Sequence, residues 1–119
     1  MAINGNMTTL TGWGSNLRLG CLLNEPAFHS EVAAVLDRTG TIARGLGRSY
    51  GDCAINADGE VIGTTHMSRF LSFDELTGVL TCEAGASLES IIETFAPRGW
   101  FPMNQVCDRR RVHRERYPR

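Results

Sequence analysis

The chain has 119 residues, 42% of them apolar and 21% charged, the composition of one globular domain and too apolar for a disordered segment. No apolar run approaches the roughly 20 residues of a membrane span, and the N-terminus lacks the basic start and apolar core of a signal peptide, so a soluble, cytoplasmic protein with no transmembrane segment is expected. The net charge of −1 conceals an asymmetry: all twelve basic residues are Arg, and six of them fall between Arg109 and Arg119 against a single acid, Glu115.

Taken in chain order, the first twenty residues are rich in Gly, Asn and Thr, with Trp13 between Gly12 and Gly14, and read as an irregular lead-in. Pro26 then opens a helix over Ala27 to Arg38, with Phe28, Val32, Val35 and Leu36 at helical spacing, and Gly40 ends it. Thr41 to Arg44 reads as a strand, followed at once by a glycine-rich segment from Gly45 to Asp52. Asp58-Gly59 is a turn signal ahead of a strand at Glu60 to Ile62. Phe70 to Phe73 and Val79 to Glu83 read as two strands joined through Asp74 to Gly78. Ser87 is the expected N-cap of a second helix with Leu88, Ile91, Ile92 and Phe95 on its apolar face, stopped by Pro97-Arg98-Gly99. The expected fold class is α+β: a small mixed sheet with two helices.

Four cysteines, Cys21, Cys53, Cys82 and Cys107, lie far apart with no Cys-x-x-Cys pair, and His29, His66 and His113 are scattered among them. No zinc spacing results, so no metal is expected, and free, mostly buried thiols are the reading.

The most informative stretch is Arg44-Gly45-Leu46-Gly47-Arg48-Ser49-Tyr50-Gly51-Asp52. Three glycines in seven residues let the main chain bend tightly and let a ligand approach with no Cβ in the way. Successive N–H groups in such a bend form a concave anion site, and Arg44 and Arg48 add charge of the right sign. The Walker pattern fails for want of a Lys, and the Rossmann pattern fails because the spacing is Gly-x-Gly-x-x-x-Gly rather than Gly-x-Gly-x-x-Gly. On spacing alone, phosphate binding and a plain structural loop stand level. Asp52 reads as a turn residue before it reads as an acid.

The run Ile42 to Asp52, with Gly12-Trp13-Gly14 before it and Phe70 to Glu83, Ala84-Gly85 and Arg98 to Pro102 after it, resembles the FAD-linked oxidases of the vanillyl-alcohol oxidase type. Within them the pattern is nearest to the decaprenylphosphoryl-ribose oxidase branch. The resemblance covers residues 10 to 103 and implies the first part of a PCMH-type FAD-binding domain. It implies that Gly45, Leu46, Gly47, Arg48, Ser49, Tyr50 and Gly51 lie against the FAD pyrophosphate. It also implies a parent activity, oxidation of an alcohol or sugar hydroxyl with FAD accepting the hydride, whose catalytic residues lie in a further domain. No catalytic residue is assigned in this chain. Several relatives carry a His at the position of Arg48 and bond the flavin through it. Arg stays protonated at any working pH and cannot do so, so FAD is expected to be held non-covalently. Neither His29 nor His66 matches that position.

The resemblance stops after Met103, where relatives continue with Pro-Gly-Thr, Thr-Val-Gly-Gly and Asp-x-His-Gly segments. A set of codons compatible with Asn104 to Arg119, read one base onward, encodes T-K-F-A-T-V-G-G-C-I-A-N-D-I-H-G. Residues 1–103 are therefore expected to be a partial FAD-binding domain, and 104–119 a poorly ordered tail read out of frame. Such a chain would be an N-terminal piece of the enzyme, too short to be catalytic alone and holding FAD weakly or not at all. Two alternatives remain open: a small nucleic-acid-binding protein using its six tail arginines with Tyr117, and an inert truncated remnant.

Overall fold

The computed structural model of the chain describes residues 5–36, 40–102 and 112–114. The chain divides into two compact units, residues 1–67 and residues 68–119.

The first unit is built on a four-stranded mixed sheet, in the order β1, β2, β4, β3. Strands β1 (Asn6–Thr11) and β2 (Arg18–Asn24) form an antiparallel hairpin with Thr11 opposite Arg18. Strands β3 (Thr41–Arg44) and β4 (Glu60–Gly63) run parallel to each other, and β4 also runs parallel to β2, with Leu23 opposite Val61. Helix α1 (His29–Leu36) connects β2 to β3. Its first turn is closed by Glu31, whose carboxylate accepts the Ala27 and Phe28 N–H groups at 2.8 and 3.1 Å, offsetting donors that the start of a helix leaves unused. Of the four apolar positions expected to face inward, Val35 is buried and Val32 half-buried, whereas Phe28 and Leu36 are exposed. Among the described residues of this unit, Cys21, Pro26, Val35, Ala54, Ile55, Val61, Ile62 and Met67 are buried; each fully buried Val or Ile contributes roughly 1.5–3 kcal/mol.

Asn24 is fully buried in the same unit. Its Nδ2 donates to Glu60 Oε2 at 3.3 Å and to the Leu22 carbonyl at 3.5 Å, while Oδ1 has no hydrogen-bond partner among the described residues.

The second unit pairs β5 (Phe70–Asp74) with β6 (Val79–Cys82) as an antiparallel hairpin carrying a bulge between Phe70 and Ser72. Helix α2 (Leu88–Phe95) follows, then a short 3-10 turn (Ala96–Arg98) and β7 (Trp100–Pro102), which pairs with β8 (Val112–Arg114). Ser87 caps α2: its Oγ accepts the Ser90 N–H at 3.0 Å. Gly99, at φ 81°, ends the helical run after Arg98, as the Pro-Arg-Gly sequence predicts. Leu80, Ile91 and Phe95 form the core, with Phe70, Phe73, Cys82 and Trp100 packed against it. The aromatic rings interlock: Phe73 lies 4.5 Å from Phe95 and meets Trp100 edge-on at 5.2 Å.

The mixed sheet and two helices make the fold α+β, as expected. The irregular lead-in is corrected: residues 6–11 and 18–24 are paired strands, with an irregular turn between them. The tail expectation falls mostly on residues 104–111 and 115–119, outside the described residues; within it, residues 112–114 pair with β7. Among the described residues, no helix is long and apolar enough to cross a membrane.

Candidate functional site

Strands β3 and β4 are parallel neighbours, so the chain must travel back along the sheet between them, and residues 45–59 do this without a helix. A connection that long with no regular structure is uncommon in a compact unit and usually has a role of its own. All seven residues singled out from the sequence, Gly45 to Gly51, lie on its first half. Leu46, Arg48, Ser49 and Tyr50 are exposed, with Tyr50 at 86% exposure. Gly47 and Gly51 have φ of 71° and 65°, a left-handed conformation that glycine adopts without strain. Among the described residues, none of the backbone N–H groups of Leu46 to Gly51 donates a hydrogen bond.

The loop rests on the β1–β2 hairpin. A Cβ on Gly12 would run into the Gly51 carbonyl oxygen and lie 3.0 Å from Asp52 Oδ1, so the Gly-Trp-Gly turn and the end of the glycine run touch backbone to backbone. The Asp58 N–H donates to the Gly20 carbonyl at 3.3 Å, and Cys21 Sγ lies 2.9 Å from the Asn56 carbonyl. Asn56 Nδ2 donates to the Gly40 carbonyl and holds the returning limb near the start of β3.

The two arginines of the loop behave differently. Arg44 is half-buried; its Nη1 donates to the Ala54 carbonyl at 3.1 Å and its Nη2 to the Thr11 carbonyl at 2.9 Å. Arg48 is exposed, and no described residue pairs with it. Asp52 is exposed, and its carbonyl accepts the Ile55 N–H at 3.3 Å, a turn contact. His29 and His66 are exposed, and no group of His, Cys, Asp and Glu among the described residues has metal-ligand geometry. Cys21 is buried, Cys82 half-buried and Cys53 exposed, all as free thiols; Cys107 lies outside the described residues. The expectation of mostly buried thiols thus fails at Cys53, which the loop carries outward.

In the second unit, Glu83 is buried; its carboxylate accepts the Arg69 backbone N–H at 2.8 Å, Nε at 3.0 Å and Nη2 at 2.6 Å, and its own N–H donates to the Arg69 carbonyl at 2.9 Å. The hydrogen bonds to Glu83 raise the Arg69 pKa further. Sequence reasoning missed both this pair and the Arg44 bonds, because neither leaves a spacing signature.

Residues 25–111 match the profile of a family described as an FAD binding domain, and the chain belongs to that family. That match runs past Met103, where the resemblance read from the sequence stops. The chain is also similar to decaprenylphosphoryl-beta-D-ribose oxidase of Mycolicibacterium smegmatis, with 45% identity over 65 residues, 54% of this chain. The matched part is 14% of that relative's length.

Proposed function

We propose that residues Gly45, Leu46, Gly47, Arg48, Ser49, Tyr50 and Gly51 hold the pyrophosphate of FAD. The observation that carries this reading is the set of backbone N–H groups from Leu46 to Gly51, none of which donates a hydrogen bond among the described residues. Donors left unused on an exposed, glycine-bent chain suit an anion, and oriented main-chain dipoles stabilise it without moving. Arg48 supplies a cation beside them with no competing partner among the described residues. Arg48 also stands where a covalent flavin link would need a nucleophile, so the cofactor is bound non-covalently.

FAD, when bound, would accept a hydride from the substrate. The wider activity we infer is oxidation of an alcohol or a sugar hydroxyl, supported by the oxidase relative and its ribose-containing substrate name. The residues of this chain bind and orient the cofactor; none of them is placed at the reacting carbon.

We further propose that the codons for Asn104 to Arg119 are read out of frame, supported by a compatible choice of codons that, read one base onward, encodes the Thr-Val-Gly-Gly and Asp-x-His-Gly segments in order. Sequencing the gene through this region tests it: codons that do not encode the shifted segment overturn the idea.

The cofactor reading is tested by titrating the 15N-labelled chain with FAD and with ADP. The amide signals of Leu46 to Gly51 are expected to move with both ligands, since both carry the pyrophosphate. Movement confined to other residues, or none, would rule out the loop.

A further inference from the structure

The guanidinium of Arg44 reaches from the start of the loop to its returning limb and to the end of β1, bonding a main-chain carbonyl at each. Arg44 closes β3, and its own carbonyl is taken by the Thr64 N–H at 2.9 Å and by Thr64 Oγ1 at 3.4 Å. The main chain is therefore fixed at the point where the loop departs. From there the side chain bonds Ala54, ten residues on, and Thr11, at the end of β1. Between these anchors the loop has no apolar filling: Gly45, Leu46 and Arg48 to Cys53 are all exposed. What fills the bend at Gly47 is the guanidinium itself. A Cβ at Gly47 would collide with Nη2 and lie 2.7 Å from Cζ.

We propose that Arg44 is a positioning residue that sets the curvature of the Gly45–Gly51 loop by bridging Ala54 to Thr11 beneath Gly47, and that it does not serve as the cation for a bound phosphate. The proposal rests on the reading that this loop holds a pyrophosphate. Arginine suits the task because its planar fork presents several donors in fixed directions, which lets one group bond two carbonyls at once. Lysine carries the same charge on a single nitrogen and cannot reproduce the fork. The roles of the two arginines thus separate: geometry at Arg44, charge at Arg48.

The full chain supports a test in two arms. The first needs no ligand. Gly47→Ala in the natural background must displace the guanidinium and break its two bonds, besides straining a left-handed φ; in an Arg44→Met background only the strain remains. Thermal unfolding and amide exchange of residues 46–52 should show G47A costing clearly less in R44M than alone. Additive effects would overturn the proposal. Should R44M fail to fold, R44K takes its place, since lysine also lacks the fork.

The second arm uses ADP and FAD as probes, read by amide shifts and by their dependence on salt. R44K and R44M should each weaken binding by about tenfold or more, with the salt dependence of the natural chain retained. R48K should bind nearly as well as the natural chain, whereas R48A should bind weakly and lose most of the salt dependence. Near-natural binding by R44K would make Arg44 a charge and overturn the proposal. If the natural chain shows no response to either probe, the pyrophosphate reading fails, and the G47A and R44M cycle still decides whether Arg44 supports the loop.

Discussion

The carbonyl oxygen of Gly51 occupies the space that a Cβ on Gly12 would need, so the turn of the β1–β2 hairpin and the end of the glycine loop meet with no side chain between them. Gly12 is buried, and its neighbour Asp52 Oδ1 lies 3.0 Å from the same point. Trp13 and Tyr50, each one residue away from this contact, are exposed. The lead-in is thus part of the site's support.

Gly12→Ala should force turn and loop apart, because the obstacle is a backbone oxygen that cannot rotate away. The expected cost is about 1–3 kcal/mol of stability, the range for overpacking a close contact. Urea unfolding would measure it. Amide shifts should move at Gly51 and Asp52 as well as at Gly12; a variant as stable as the natural chain would show the contact to be soft.

Phe95→Ala should cost about 3–5 kcal/mol, since the ring is buried and packs against both Phe70 and Phe73. Ser87→Ala removes the acceptor for the Ser90 N–H and should cost about 1 kcal/mol. Thermal melts should therefore rank the two variants clearly, with S87A the milder. An equal loss would mean that the cap, not the aromatic cluster, limits α2.

Most of the elements were legible from the sequence because their signals are local. Ser87 caps α2, the Asp-Glu-Leu-Thr-Gly run joins β5 to β6, and Asp58-Gly59 precedes β4, each through hydrogen bonds or turn chemistry within a few residues. The β1–β2 hairpin was missed because Asn6–Thr11 carries only Met7 and Leu10 as apolar residues, and the six-residue link to Arg18 is none of the short hairpin turns. The glycine loop could be located but its support could not. Thr11 is 33 residues from Arg44, and nothing in the spacing announces that a carbonyl there will take a guanidinium N–H. Charge composition suggested two equivalent arginines; burial and hydrogen bonding make them different.

Acid should weaken the β5–β6 hairpin. The Asp74 carboxyl titrates below its ordinary range, chiefly because of the hydrogen bond from the Thr77 side chain, then those from the Leu76 and Thr77 N–H groups. Oδ1 accepts these two N–H groups at 2.8 and 3.3 Å. A folded-state pKa lower than the unfolded one means that the unfolded chain binds protons more readily in this range. The stabilisation is therefore complete above the ordinary carboxylate pKa of about 3.9 and is lost as pH falls through the folded value. Melts between pH 5 and pH 2 should show a decline that Asp74→Ala reduces. An unchanged slope in that variant would assign the decline to other carboxylates.

Arg48 bears on how a flavin leaves the protein. The resemblance places it where relatives use a His to bond the isoalloxazine, a step that needs a ring nitrogen with a free electron pair. A guanidinium is protonated throughout the working pH range, and its electrons are delocalised over three nitrogens, so it offers no such pair. FAD taken up by the chain should therefore stay dissociable. After incubation with FAD, acid precipitation should leave all the flavin in the supernatant, and a denaturing gel should show no fluorescent band. The loop does carry one nucleophilic side chain: Cys53 is an exposed, free thiol five residues beyond Arg48. Its thiolate is the one strong nucleophile this stretch of loop carries. The experiment therefore includes Cys53→Ala. A fluorescent band in the natural chain would overturn the non-covalent reading, and its loss in C53A would assign the attachment to the thiol.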